Sequence, residues 1–364
     1  MSRGPIRRLT LRGDPARRGR VHGERHRAEI RRYTDERVHL ASNGSWAGRA
    51  ATREDVLELA RAMLPAHRDY APDLYEELEA MARASGLSPE EAVIVGGFTD
   101  FVDAVRGLAG EAHEEDDCTA VLVPAPLAEG HAFLAQTWDM HDSATEHVVL
   151  LEIAPERGPA ALVFSTVGCL GQIGMNDAGI AVGINNLSAA AGRAAVTWPF
   201  VVRKALQQTR LENALAAVLD ADLAGAHNYL LLDREGRGYD VEAMPGSRPT
   251  RALGAEPLIH TNHCLEPEAV REQAEKAPAL LASSERRLAR ARELLVTTPI
   301  TLKHLIDFTR DAEAICQRSS PPFHIESSGA AIMRPASGEL WAVWGLPSEN
   351  EYESFRVADA GAPQ

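Results

Sequence analysis

The sequence is poor in aromatic residues, at 5%, and has four cysteines in all, Cys118, Cys169, Cys264 and Cys316. No two of them stand in a CxxC spacing, so neither a zinc knuckle nor a disulfide framework is indicated. In a reducing compartment each thiol is either packed filler or a reactive group. Nowhere do about 18 apolar residues follow one another, and the N-terminal stretch lacks the apolar segment of a secretion signal. A cytoplasmic protein with no membrane partner is therefore expected. Positive charge is also in deficit, with 38 Lys and Arg against 52 Asp and Glu and a formal net charge of −14. Such a chain repels a phosphate backbone, so nucleic acid is not expected as a partner. The first 32 residues are a local exception, with 11 Arg against Asp14, Glu24 and Glu29. A basic arm for RNA or anionic lipid is one reading, and a solvated helical surface is the other.

What is present is an ordinary globular composition, 45% hydrophobic and 25% charged over 364 residues. That length can bury one large core or two modest ones. The first third reads as helix over 22–38, 54–67, 72–84 and 89–106. The last of these opens with Ser88 as N-cap, Pro89 at the first helical position and Glu91 three residues after the cap. From residue 118 the pattern changes to short aliphatic and β-branched runs over 119–123, 132–138, 148–153 and 161–165, which marks a boundary. A hairpin is expected over 172–184, turning at Asn176 to Gly179, then a long amphipathic helix from Pro199 to Leu219. A second hairpin (229–232 with 239–242), a short strand at 258–260, helices at 278–296 and 301–314 and a final hairpin (330–333 with 340–344) complete the chain. Antiparallel groups separated by helices predict a layered α+β fold, not a doubly wound parallel sheet.

Just before the first of these strands, residues 111–117 carry five acids and are followed at once by Cys118. By default a Cys opening a strand is a small packed hydrophobe. Acidic neighbours disfavour a thiolate, so the intact chain is not how such a thiol is normally activated. Cutting before Cys118 would change that, because the new α-amino group, with a reference pKa of about 8, can serve as its base. Asp139 closes Gln136-Thr137-Trp138-Asp139 on the strand expected to pair with the one opening at Cys118. Asn262 closes His260-Thr261-Asn262 on another, and its amide can donate to an oxyanion. Each has a plain reading as a turn former.

Together these motifs resemble the isopenicillin-N acyltransferase family of N-terminal-nucleophile hydrolases. Asp117-Cys118-Thr119-Ala120, the Gln136 to Asp139 box, the glycine-rich stretch from Gly171 to Gly179 and Thr261-Asn262-His263 carry the resemblance. The stretches from Gly13 to Gly23 and from Glu76 to Gly86 extend it over nearly the whole chain. The resemblance implies a four-layer αββα sandwich of two antiparallel sheets between helices. It also implies autocatalytic cleavage between Asp117 and Cys118, into a helical chain of residues 1–117 and a chain of residues 118–364. The two would stay associated as a heterodimer within one joint domain. By the same resemblance Cys118 is the nucleophile, Asp139 steadies the new amine, Asn262 is an oxyanion donor and no cofactor is needed. Asp117 departs from the Gly that the family's penicillin enzyme has there.

The expected activity is hydrolysis of a non-peptide N-acyl amide of a small molecule through a thioester, with acyl-CoA-dependent N-acyl transfer as the alternative. Thr137 and Trp138 are expected to touch substrate, and Trp198 and Phe200 to line an acyl pocket or simply belong to the core. Two further readings are a metal site from His260, His263, Asp139 and His141, and a non-catalytic scaffold. Ligands spaced by three at a strand end point to different faces, which counts against the metal.

Overall fold

The structure is a computed structural model that describes residues 3–43, 50–107 and 117–360. A strand, β1 (Arg8–Gly13), precedes six helices: α1 (Pro15–Arg25), α2 (Arg27–Asn43), α3 (Arg53–Tyr70), α4 (Pro72–Ser85), α5 (Pro89–Gly96) and α6 (Phe98–Gly107). Strands then take over, with β2 (Asp117–Val123), β3 (Phe133–His141), β4 (Val148–Pro155), β5 (Ala161–Thr166), β6 (Ile173–Asn176) and β7 (Ala181–Asn186). Helices α7 (Trp198–Leu206) and α8 (Leu211–Leu219) separate these from β8 (His227–Leu232), β9 (Gly238–Ala243), β10 (Thr250–Ala252) and β11 (Leu258–His260). The chain finishes with α9 (Pro267–Val270), α10 (Pro278–Leu294), α11 (Leu302–Thr309), β12 (Ile325–Arg334), β13 (Glu339–Trp344) and β14 (Glu353–Arg356).

The strands form an eight-stranded sheet, β1-β4-β5-β6-β7-β8-β9-β10, and a six-stranded sheet, β11-β2-β3-β12-β13-β14. The two stack through β2 and β3 against β7 and β8. Helices α7 and α8 cover the outer face of the larger sheet, and α10 and α11 that of the smaller. This is the expected αββα sandwich. On β2 and β3, Ala120, Leu122, Leu134 and Trp138 face the other sheet, while Val121, Val123, Phe133 and Ala135 meet Leu305 and Phe308 of α11. That alternation is the period-2 pattern of a strand buried on both faces. Gln136 ties the sheets together: its Oε1 accepts from Ile184 N at 2.8 Å and its Nε2 donates to Ile184 O.

Three local expectations are corrected. The first third is not all helix, because β1 buries Leu9 and Leu11 and adds a parallel edge strand beside β4. Helix α1 starts at Pro15, earlier than residue 22, with the Asp14 side chain capping it by accepting from Arg17 N at 2.7 Å. The helix expected over 199–219 is two helices, since Asn176 Nδ2 donates to the carbonyls of Leu206 and Gln208 at 2.8 and 2.7 Å and diverts the end of α7 from helical pairing.

The two N-terminal motifs meet each other. Gly19 and Gly23 of α1 lie so close to α4 that a Cβ would collide with the carbonyl oxygen of Glu77 and come within 2.5 Å of that of Met81. Several arginines of the basic stretch are paired with acids of the fold, buried Arg18 with Glu77 at 2.7 Å, half-buried Arg7 with Glu29 at 2.8 Å and exposed Arg8 with Glu152. The acids of residues 111–116 lie outside the described residues.

Candidate active site

Cys118 is the second residue of β2, a strand held between β11 and β3, and is 2% exposed. Strand register sets Asp117 opposite Asp139, Cys118 opposite Trp138 and Thr119 opposite Thr137. Two residues past β11, Asn262 reaches the same end of β2. Cys118 N donates to Asn262 Oδ1 at 2.7 Å, and Asn262 Nδ2 donates one of its two hydrogens to Asn186 O at 3.1 Å. Asn262 is therefore engaged with the backbone nitrogen of Cys118 through its oxygen. Ser284 Oγ accepts from Asn262 N at 2.9 Å and fixes the turn from the helix side.

A residue that the sequence reading missed holds this arrangement together. Arg287 of α10 is fully buried, and its Nη1 donates to Cys118 O at 2.6 Å and Thr119 Oγ1 at 3.2 Å. Its Nη2 donates to Asn262 Oδ1 at 3.1 Å and pairs with Asp117 Oδ1 at 2.8 Å. The signal was present in the sequence: Leu280, Ser284, Arg287, Leu288 and Ala291 share one buried face of α10. An arginine on the apolar face of a helix is rarely buried without a charged partner. The other arginines of that segment masked it. The Asp117 carboxylate, conspicuous in sequence, is also neutralised and further bonded, accepting from Gln317 Nε2 at 2.9 Å and Ser283 Oγ at 3.3 Å.

Asp139 is completely buried. Its Oδ1 accepts from Ser327 Oγ at 2.6 Å, and its Oδ2 from Gln317 Nε2 at 3.2 Å and Thr137 Oγ1 at 3.4 Å. Ser327 is its partner across β12, next to a bulge that shifts the register before Gly329. Burial pushes the Asp139 carboxyl up to about 7; Arg287 and the hydrogen bonds from Ser327 and Gln317 oppose the rise, and the neighbouring Asp117 charge adds to it. Gln317 thus bridges two carboxyls, one of which belongs to the residue before Cys118.

Thr137 Oγ1 accepts from Thr119 N at 3.2 Å, and the Trp138 ring packs edge-on to Phe164 across the sandwich. Trp198 and Phe200 are engaged elsewhere: Trp198 Nε1 donates to Thr99 Oγ1 at 3.1 Å, and Phe200 packs edge-on to His67. The residues of the metal alternative do not converge, because His260 turns to Glu242, His141 to Ser143 and His263 to Ser284. Among the described residues no group of three or more His, Cys, Asp and Glu is arranged to hold a metal ion. Cys169, Cys264 and Cys316 are buried, and burial raises the pKa of each thiol, that of Cys169 to about 11.

The family model for acyl-coenzyme A:6-aminopenicillanic acid acyl-transferase matches residues 127–347. A curated relative, the 40 kDa form of acyl-coenzyme A:6-aminopenicillanic-acid-acyltransferase from Emericella nidulans, is 25% identical over 259 residues, 71% of this chain and 69% of its own. Among solved structures, a variant of conjugated bile acid hydrolase from Clostridium perfringens gives a TM-score of 0.44 at 10% identity, covering 66% of this chain and 96% of its own. Penicillin V acylase from Agrobacterium tumefaciens gives 0.37 at 12%, covering 62% and 82%.

Proposed function

Because the chain belongs to the acyl-coenzyme A:6-aminopenicillanic acid acyl-transferase family, whose model matches well over half of it, we propose an N-terminal-nucleophile amidohydrolase activated by self-cleavage before Cys118. The observation that carries this reading is the concentration of buried polar groups around the bond from Asp117 to Cys118. Asp117 is paired with Arg287, Cys118 N is held by Asn262, and Cys118 O is held by Arg287. Such desolvated and directed bonding is costly to build around a merely structural strand end.

In the intact chain, Cys118 Sγ attacks the carbonyl carbon of Asp117. As the C–N bond to Cys118 breaks, the nitrogen keeps its hydrogen and gains the proton given up by the thiol, leaving a thioester and a primary amine. Water then hydrolyses the thioester, releasing the Asp117 carboxylate and the thiol. In the mature enzyme the amine takes the thiol proton, sulfur attacks a substrate amide, the second hydrogen of Asn262 Nδ2 meets the oxyanion, and the ammonium passes its proton to the leaving nitrogen as the substrate C–N bond breaks. Asp139 steadies the ammonium form of the amine. We assign Thr137 and Trp138, the cross-strand neighbours of Thr119 and Cys118, to the substrate side of the site. The substrate is a small N-acyl amide, no cofactor takes part, and the enzyme works in the cytoplasm as one αβ unit. Among the described residues no helix is long and apolar enough to cross a membrane.

A second reading, acyl transfer from an acyl-CoA thioester to an amine, is favoured by the names of the family and of its curated relative. The two differ only in whether water or an amine meets the acyl-enzyme. Both begin with processing, which mass spectrometry tests directly. Wild-type protein should yield chains ending at Asp117 and beginning at Cys118, and Cys118→Ala should remain whole. A wild-type sample that turns over amides at intact mass would sink the proposal. Supplying N-acyl amides, and acyl-CoA with amine acceptors, then separates the two readings by which product forms.

A further inference from the structure

His260 ends β11 two residues before Asn262 and is fully buried. Its Nε2 lies 2.9 Å from Glu242 Oε1 and its Nδ1 lies 2.8 Å from the Thr261 carbonyl oxygen. Glu242, on β9 of the other sheet, is acting as a carboxylate: its Oε1 also accepts from Leu265 N at 2.6 Å and its Oε2 from Glu266 N at 3.0 Å. A neutral imidazole donates through one nitrogen only. A ring whose two nitrogens both face acceptors satisfies both contacts only when it carries both protons.

We propose that His260 is a buried imidazolium which, clamped by Glu242, fixes the turn carrying Asn262 and is thereby a positioning residue for Cys118. The inference rests on the function proposed above, in which Asn262 meets the oxyanion. The clamp spans the whole turn, because Glu242 holds His260 at its start and the Leu265 and Glu266 nitrogens at its end. Asn185 Nδ2 adds a longer bond to His260 O at 3.4 Å, and β11 pairs His260 with Ala120 of the nucleophile's strand. A shift of the turn therefore moves Asn262 relative to Cys118 N.

The charges facing His260 come from several elements. On β9 are Asp240 and Glu242, Asp240 being itself paired with Arg251 of β10; within the turn, burial and then the His260 charge lower the pKa of His263. Burial disfavours the imidazolium, but Asp240, Glu242 and the Thr261 carbonyl together outweigh it and raise its pKa above the ordinary histidine value. The clamp is therefore intact at low pH and lost as pH rises through that raised value. The amine of Cys118 has the opposite requirement, since it must be neutral to act as a base, so the alkaline limb reports the clamp.

The test is the pH–rate profile of processing and of turnover in wild type, Glu242→Gln and His260→Gln, with folding checked by circular dichroism. In Glu242→Gln the alkaline limb should move to lower pH, because the imidazolium loses its counter-charge. His260→Gln should lower kcat by about 10²-fold, the size of loss expected from a misplaced catalytic group, with little change in KM. A folded, self-cleaving Glu242→Gln with the wild-type profile overturns the clamp alone. Wild-type protein that neither cleaves nor turns over overturns the function and the clamp together. If neither variant folds, the wild-type alkaline limb decides: its presence supports the clamp and a flat profile up to strongly alkaline pH overturns it.

Discussion

At the scale of single residues, the proposed site holds two carboxyls that share one donor. Asp139 shares Gln317 with Asp117 while the chain is whole, and its carboxyl is held up at about 7. An acid whose folded pKa is raised binds its proton more tightly when folded. That contribution is fully present below the unfolded value of about 4 and is lost as pH rises through about 7. Uncleavable Cys118→Ala protein should therefore lose thermal stability between about pH 4 and about pH 7, and adding Asp139→Asn should flatten that slope. An unchanged slope in calorimetry would detach Asp139 from the carboxyl pair. Asn262→Ala tests the oxyanion role: losing one donor should depress both self-cleavage and kcat by about 10²–10³-fold, with substrate binding barely altered. Near-normal turnover of a cleaved Asn262→Ala sample would remove it from the site.

Among the elements, α1 and α4 make the closest approach that depends on missing side chains. Gly19 and Gly23 let the two helix backbones touch, and Arg18 between them reaches Glu77 Oε2 at 2.8 Å. Gly19→Ala should push the helices apart and cost about 1–3 kcal/mol, the usual range for overpacking. Thermal denaturation of the uncleavable protein measures it, and an unshifted midpoint would show that the pair tolerates separation. Legibility varied with the range of the forces involved. The capping box at Ser88 and Glu91 and the hairpin turn at Asn176 to Gly179 were readable because their bonds close within a few residues. The break between α7 and α8 was not, because the side chain that ends α7 comes from Asn176, some thirty residues earlier. Strand β1 alternates Leu9 and Leu11 with polar residues, but its pairing partner begins only at Val148.

For the molecule as a whole, the question is what keeps the two proposed chains together after the cut. Glu77 lies at the centre of a buried cluster, paired with Arg18 at 2.7 Å on its own side of the cut and with Arg203 at 2.9 Å on the other. Farther along, the Asp103 carboxylate accepts from Ala189 N and Ala226 N at 2.8 and 3.2 Å, and Asp100 accepts from Trp198 N at 2.6 Å. Removing one partner of a buried ion pair costs about 3–5 kcal/mol because the other charge is stranded. Wild-type chains should co-elute after cleavage and separate only in denaturant, whereas Arg203→Ala should release the N-terminal chain at much lower denaturant. Equal release from both proteins would show that the apolar contacts suffice without the cluster.

The sequence alone determined most elements and the α+β layering, because periodicity and turn chemistry are settled by neighbours along the chain. It also singled out Cys118, Asp139 and Asn262, each at the end of a strand and each with a plain alternative as a packed or turn-forming residue. What it left undecided is which buried groups meet around Cys118. Tertiary structure alone decided that, by pairing β2 with β3 and β11 and laying α10 across their ends, so that Arg287 meets Asp117, Cys118 and Asn262 at once. Whether a buried charge is matched depends on which elements become neighbours in space, and no local pattern around Arg287 or Asp117 specifies the other.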